Sequence, residues 1–288
     1  MARPARNGPA RGTWNGPARG TSNGPDRGAS NGPTWEESSA VVRRLWPDPA
    51  DEVDAPACYE GERRQARADR PYTLLNMVTS VDGATATGGV SRALGSPTDR
   101  AIFRHLRGLA DAVLVGAGTA RAEHYGPVRL DEATVADRVR RGQGLRPPVV
   151  VVTRSMALDW GSPLFDGSEP RPILLVPTSA TSGADAAREA EVVACGDGSV
   201  DLVDALRLLL ARGLRTVLCE GGPQLNSQLL AGGLVDEVCL TVSPLLVGGD
   251  HARGIVAPID TGGSSPVPLE LAHVLEADGF LYLRYRVG

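Results

Sequence analysis

From residue 72 onward this chain predicts an α/β fold, with a parallel or mixed sheet covered by helices. Three observations carry that expectation. Short runs rich in Val, Ile, Leu and Thr recur along the chain, stretches with helical apolar spacing lie between them, and glycine-rich turns mark several of the junctions.

The elements follow in order. Strands are expected at Tyr72–Thr79, Ala112–Val115, Val149–Thr153, Ile173–Val176, Glu191–Ala194, Thr216–Cys219 and Glu237–Val242. Leu269–Glu276 and Phe280–Tyr285 flank Asp278-Gly279, a pair suited to the tight turn of an antiparallel hairpin. Ser96 followed by Pro97 is a helix start, after which Ile102, Phe103, Leu106 and Leu109 form one apolar stripe. Val200–Ala211 stops at Arg212-Gly213, and Gln224–Ala231 stops at Gly232-Gly233.

The N-terminal part differs in kind. Asn-Gly-Pro recurs with a period of eight from Asn7 to Pro33, offering turns and almost no apolar surface to bury. A disordered tail and linker over residues 1–69 is therefore expected, weakly helical from Glu36 to Trp46 and polar from Pro47 to Arg70, ahead of one domain at 70–288.

Composition excludes several functions. The 288 residues, 42% hydrophobic and 22% charged, suffice for a sizeable core. A net charge of −4 with no arginine–aromatic clustering argues against nucleic acid as a partner. All 30 basic residues are Arg, so a P-loop lysine or an enzyme Schiff base is excluded. Cys58, Cys195, Cys219 and Cys239 are too widely spaced for a CxxC pair, which suits reduced thiols in a cytoplasmic protein and argues against a metal site. No signal-peptide core and no run of about 18 apolar residues is present, so neither export nor a membrane partner is expected.

Four motifs stand at the ends of predicted strands. Val115-Gly116-Ala117-Gly118-Thr119 lets the backbone approach a ligand at a helix start, although tight strand–helix packing needs the same glycines. In Glu220-Gly221-Gly222-Pro223 the glycine N–H groups suit a pyrophosphate. Glu220 then sits where open α/β sheets bind ligands, unless it is a carboxylate paired with a nearby Arg. Asp82-Gly83 after Thr79-Ser80-Val81 reads by itself as a turn. Thr153-Arg154-Ser155 offers a guanidinium between two hydroxyls, suited to a 2′-phosphate or simply to a surface turn.

Taken in order, these motifs resemble the C-terminal reductase domain of the bacterial riboflavin deaminase-reductase. The similarity runs over about residues 70–288: S-x-D-G, G-x-S, S-P-x-x-R, D-A-V-L-V-G-A-G-T, E-G-G-P, G-L-V-D-E and T-V-S-P-x-L-x-G-G. The resemblance implies a dihydrofolate-reductase-like fold, NADPH as cofactor, a homodimer, and reduction of the ribosyl group of 5-amino-6-(5-phosphoribosylamino)uracil to ribityl. It implies that Gly116, Gly118, Thr119, Thr153, Arg154, Ser155, Gly221 and Gly222 hold NADPH. Asp82 and Glu220 are implied as the catalytic carboxylates, facing one crevice from opposite sides, with Ser91, Arg107 and His124 on the substrate and Arg107 on its phosphate. For Arg107 the alternative is a solvated cation in the last turn of its helix.

One departure stands out. Where the family commonly has A-D-D-P, this chain has Ala122-Glu123-His124-Tyr125, which leaves open another pyrimidine or a pterin as substrate. A non-enzymatic nucleotide-binding module is the alternative from a different class. The H-x-E and P-C-x-x-C pair of a zinc deaminase is missing, so the preceding deamination is not expected of this chain.

Overall fold

The computed structural model describes residues 40–60, 64–167, 169–180, 188–248, 254–258 and 266–288. The Asn-Gly-Pro tail lies outside them.

Ten strands form one sheet: β1 (Arg43–Trp46), β2 (Tyr72–Ser80), β3 (Ala112–Gly116), β4 (Val149–Val152), β5 (Ile173–Val176), β6 (Glu191–Ala194), β7 (Thr216–Cys219), β8 (Glu237–Ser243), β9 (Leu269–Ala277) and β10 (Phe280–Val287). Their order is β1-β9-β10-β8-β2-β7-β3-β4-β5-β6. The block from β8 to β6 is parallel, while β10, β9 and β1 add antiparallel pairings. Every strand expected from the sequence is present within one or two residues. The apolar runs explain why: Val113–Val115 and Val150–Val151 are buried on both faces, as the interior strands of a parallel sheet must be. The hairpin turn takes Asp278 to φ +52° and Gly279 to φ +79°, the geometry that a two-residue turn demands.

Helices cover the sheet. They are α1 (Pro97–Leu109), α2 (Ala117–Ala122), α3 (Glu132–Arg140), α4 (Leu202–Ala211) and α5 (Pro223–Ala231). Ser96 caps α1 by accepting from the Asp99 N–H at 3.0 Å. Of the expected stripe, Ile102 and Leu106 are buried, whereas Phe103 faces a cleft with the Arg107 guanidinium 4.2 Å from its ring centre.

The expected boundary at residue 70 is corrected by the structure. Arg43–Trp46, read as weakly helical, is a strand paired with β9, and Ala55 and Tyr59 from the expected linker are buried in the core. Charge pairing is the physical reason that the linker packs. Arg67 and Arg70 bind buried Asp236, while Arg64 joins Arg284 on Glu237, which is fully buried. Each buried carboxylate is satisfied by these cations together with a neutral donor, the Thr73 N–H for Asp236 and the Tyr72 hydroxyl for Glu237.

Candidate active site

Parallel strands share a direction, so their C-terminal ends line one edge of the sheet. There a cleft of about 1200 Å³ opens. Its walls come from β2, from the loop at Thr85–Arg92, from α1, from the start of α2 and from the turn after β7.

Glu220, the residue after β7, is nine-tenths buried and lines the cleft. Nε and Nη2 of Arg107 donate to its two oxygens at 2.7 Å each, and the Tyr125 hydroxyl donates to Oε2 at 2.5 Å. Burial opposes the charge on Arg107, but Glu220 more than compensates and raises its pKa. Burial and then Glu220 push the Tyr125 phenol well above its ordinary value, so it remains a donor. The guanidinium fork thereby pairs with Glu220, so Arg107 is not the solvated cation that was the alternative reading. Arg92, Arg100 and Arg129 are exposed and line the same cleft.

The two glycine turns meet. The Gly116 N–H donates to the Gly221 carbonyl at 2.8 Å, and a β-carbon on Gly222 would stand 2.7 Å from Thr119 Oγ1. Gly118 has open space above it, and Gly118, Thr119 and Gly222 line the cleft. The first N–H groups of α2 and of α5 have no partner within their own helices and point toward this end of the sheet. The cradle therefore fits a dinucleotide pyrophosphate in its donor chemistry and in the space that side-chain-free positions leave.

A model of the RibD C-terminal domain matches residues 71–279. The chain belongs to the RibD C-terminal domain family. This is the riboflavin pyrimidine reductase family that the motifs resemble, and the chain is an oxidoreductase with the dihydrofolate-reductase-like fold. It is 35% identical over 189 residues to the 2,5-diamino-6-ribosylamino-4(3H)-pyrimidinone 5′-phosphate reductase of Methanothermobacter thermautotrophicus, covering 65% of this chain and 84% of that protein. Against the riboflavin biosynthesis protein RibD of Escherichia coli it is 30% identical over 218 residues, 68% of this chain and 54% of that longer protein. A crystal structure of a pyrimidine reductase-like protein from Corynebacterium diphtheriae superposes with a TM-score of 0.71 at 27% identity, covering 82% of this chain and 99% of that one.

The remaining site residues that the RibD C-terminal domain pattern implied fall into three groups. Ser91 and His124 line the cleft, His124 at φ +50°. The carboxylate beside His124 is still at work: Glu123 Oε1 accepts from the Ser91 N–H at 2.7 Å and ties α2 to the loop across the cleft. Thr153, Arg154 and Ser155 follow β4, next to Gly116 at the end of β3, but outside the cleft wall. Thr153 is buried and accepts from the Met156 N–H, while Arg154 and Ser155 are exposed.

Asp82 is not among the residues that line the cleft. Its carboxylate turns to the next loop and accepts from Ser80 Oγ at 2.5 Å, from the Val247 N–H at 3.1 Å and from the Gly248 N–H at 2.6 Å. The Ser80 hydroxyl and those two N–H groups hold its pKa down at about 2. Val247 and Gly248 are the cleft-lining residues, and Asp82 fixes them from outside. The turn reading of Asp82-Gly83 is also met, since the Gly83 N–H closes on the Ser80 carbonyl with φ +87°.

Tyr125, Phe103 and Asp99 are site residues that no motif announced. A signal existed for two of them: Asp99, Phe103 and Arg107 are spaced by four, which puts them in one row of a helix.

Proposed function

We propose that this chain reduces the ribosyl group of a 5-amino-6-(5-phosphoribosylamino)pyrimidine to ribityl with NADPH, a step of riboflavin biosynthesis. The observation that carries the reading is the adjacency of the Arg107–Glu220–Tyr125 cluster to the paired glycine turns. A reacting carbon at the cluster would lie beside a cofactor held at the turns. NADPH, when bound, supplies the hydride for the former anomeric carbon.

The chain's own residues position and polarise. Glu220 presents a negative charge to the cationic imine-like carbon, and Arg107 and Tyr125 hold that carboxylate in one orientation. Arg107 is the partner of the substrate phosphate that the resemblance implies, and exposed Arg129 adds charge on the same cleft. Backbone N–H groups at Gly118, Thr119 and Gly222 face the pyrophosphate, with Gly116 and Gly221 shaping the turns. Arg154, flanked by Thr153 and Ser155, is proposed to face the 2′-phosphate and so to select NADPH over NADH. Asp82 acts through the loop that it holds, and Ser91 and His124 border the substrate.

The resemblance to the bifunctional enzyme implies the uracil base, whereas the relative from Methanothermobacter is named for the 2,5-diamino-pyrimidinone. Both carry the same ribosylamino phosphate, on which the proposal rests. Assembly as a homodimer and a cytoplasmic location are further parts of the reading, supported by the resemblance, and light scattering tests the first.

The deciding experiment is complementation of a riboflavin auxotroph that lacks only the reductase, followed by an NADPH-oxidation assay on purified protein with both phosphates. Growth with turnover of either compound supports the reading. Failure of both overturns it.

A further inference from the structure

The row that runs along α1 ends in a carboxyl group that the reduction chemistry leaves unused. Asp99 lines the cleft eight residues before Arg107, about 12 Å along the helix at 1.5 Å per residue, with Phe103 between them. The two ends of the row therefore address different parts of a bound molecule. Arg107 and Glu220 stand at the cofactor turns, where the sugar reacts, and Asp99 stands where the far edge of the attached ring reaches.

The niche around Asp99 is built. Thr241 Oγ1 donates to Asp99 Oδ1 at 2.6 Å, and the Asp99 N–H is taken by the Ser96 cap. Oδ2 occupies the space over Gly95 that a side chain would fill, because a β-carbon there would come within 2.7 Å of it. Burial raises the Asp99 carboxyl, and only Thr241 and Arg100 pull it the other way. Its position in the first turn of α1 and the donated Thr241 proton nevertheless suit the ionised form. An ionised, half-buried carboxylate in a substrate cleft calls for N–H donors from the ligand.

The two candidate bases differ at the edge such a group would read. A 2-amino-4(3H)-pyrimidinone offers adjacent donors, the 2-amino N–H and N3–H, which match two carboxylate oxygens. Uracil offers the C2 carbonyl beside N3–H, and that carbonyl would face a carboxylate oxygen with no proton between them. The geometry points to Asp99 as the specificity-determining residue that selects a 2-amino over a 2-oxo pyrimidine. This deepens the proposed ribosylaminopyrimidine reduction and rests on it.

The test compares kcat/KM of the full-length protein, with NADPH, for 2,5-diamino-6-ribosylamino-4(3H)-pyrimidinone 5′-phosphate and for its uracil counterpart. Wild type should favour the diamino compound by about 10–100-fold, the range that mismatched buried hydrogen bonds readily reach. Asp99→Asn replaces one acceptor by a donor and so matches the uracil edge; it should bring the ratio near unity or invert it. A purely structural Asp99 would lower both rates together and leave the ratio alone. Where melting shows Asp99→Asn to be unfolded, Gly95→Ala carries the test, because its methyl group displaces Oδ2 while the carboxyl remains. A wild type without preference, a preference for uracil, or a folded variant that keeps the wild-type ratio overturns the assignment. Reduction of neither compound by wild type fails the functional reading itself, and the assignment falls with it.

Discussion

Arg107 meets Glu220 in parallel, one guanidinium nitrogen to each carboxylate oxygen at 2.7 Å, across 113 residues of sequence. A bidentate pair of this kind fixes both direction and charge. Glu220→Gln removes the charge and one acceptor, and its turnover should fall by about 10²–10⁴-fold, the range for positioned acid–base groups. NADPH affinity should change little, because the cradle uses backbone N–H groups. Arg107→Ala should cost a similar factor, and the double variant should be little worse than either, since the residues act as a unit. Single-turnover NADPH oxidation at saturating cofactor measures this, and additive losses would separate the two roles.

Asp82→Asn tests the loop-holding role. An amide has one acceptor oxygen for the two N–H groups of Val247 and Gly248, so the cleft wall loosens. KM for the phosphoribosyl substrate should rise several-fold while kcat changes less. A collapse of kcat at unchanged KM would return Asp82 to direct participation.

Arg154→Ala should weaken NADPH by about 1.5–3 kcal/mol, roughly 10–150-fold, as for a hydrogen bond to a charged group, and leave NADH nearly untouched. Fluorescence titration of both cofactors reads the difference. Equal losses for the two would place Arg154 away from the 2′-phosphate.

Gly222→Ala should destabilise the fold by about 1–3 kcal/mol, because the new methyl group stands 2.7 Å from Thr119 Oγ1. Adding Thr119→Ala removes the obstruction and should restore most of the melting temperature. Persistence of the loss in the double variant would locate the strain elsewhere.

Glu237 sets an acid limit. Burial alone would raise its pKa, but Arg284 and Arg64 hold it at about 2, below the ordinary 4.5. Its folded value is lowered, so the unfolded chain takes up the proton first. The stabilisation is complete above pH 4.5 and is lost as pH falls toward 2. Glu237→Gln should cost about 3–5 kcal/mol at neutral pH, as expected for breaking a buried pair, and the gap to wild type should narrow at pH 3. Denaturant melts at the two pH values check it, and a constant gap would contradict the pairing.

Most of the sheet was legible because interior strands such as Val113–Val115 must be apolar on both faces, and because Ser96, Asp278 and Gly279 carry local chemistry that fixes a cap and a turn. Strand β1 was not, since a short edge strand with the exposure of Arg43 and Trp46 has no alternating pattern to display. In the site, the glycine turns and Glu220 announced themselves through backbone requirements. The orientation of Asp82 and the pairing of Arg107 depend on partners 165 and 113 residues away, which no local spacing encodes. Tyr125 was hidden for the same reason.

Strand β1 also bears on how the protein should be handled. It covers β9, and Arg43 pins it there by its ion pair with Glu276. A truncation at residue 70, where sequence composition changes, would strip that cover from Val274, Leu275 and Glu276 and leave the outer edge of β9 open there. It would also remove Arg64 and Arg67 from the acidic pair at the start of β8. Such a fragment offers a template for strand addition by another molecule, and precipitation during purification would be its signature. A start at or before residue 40 keeps the cover, about thirty residues ahead of the change in composition.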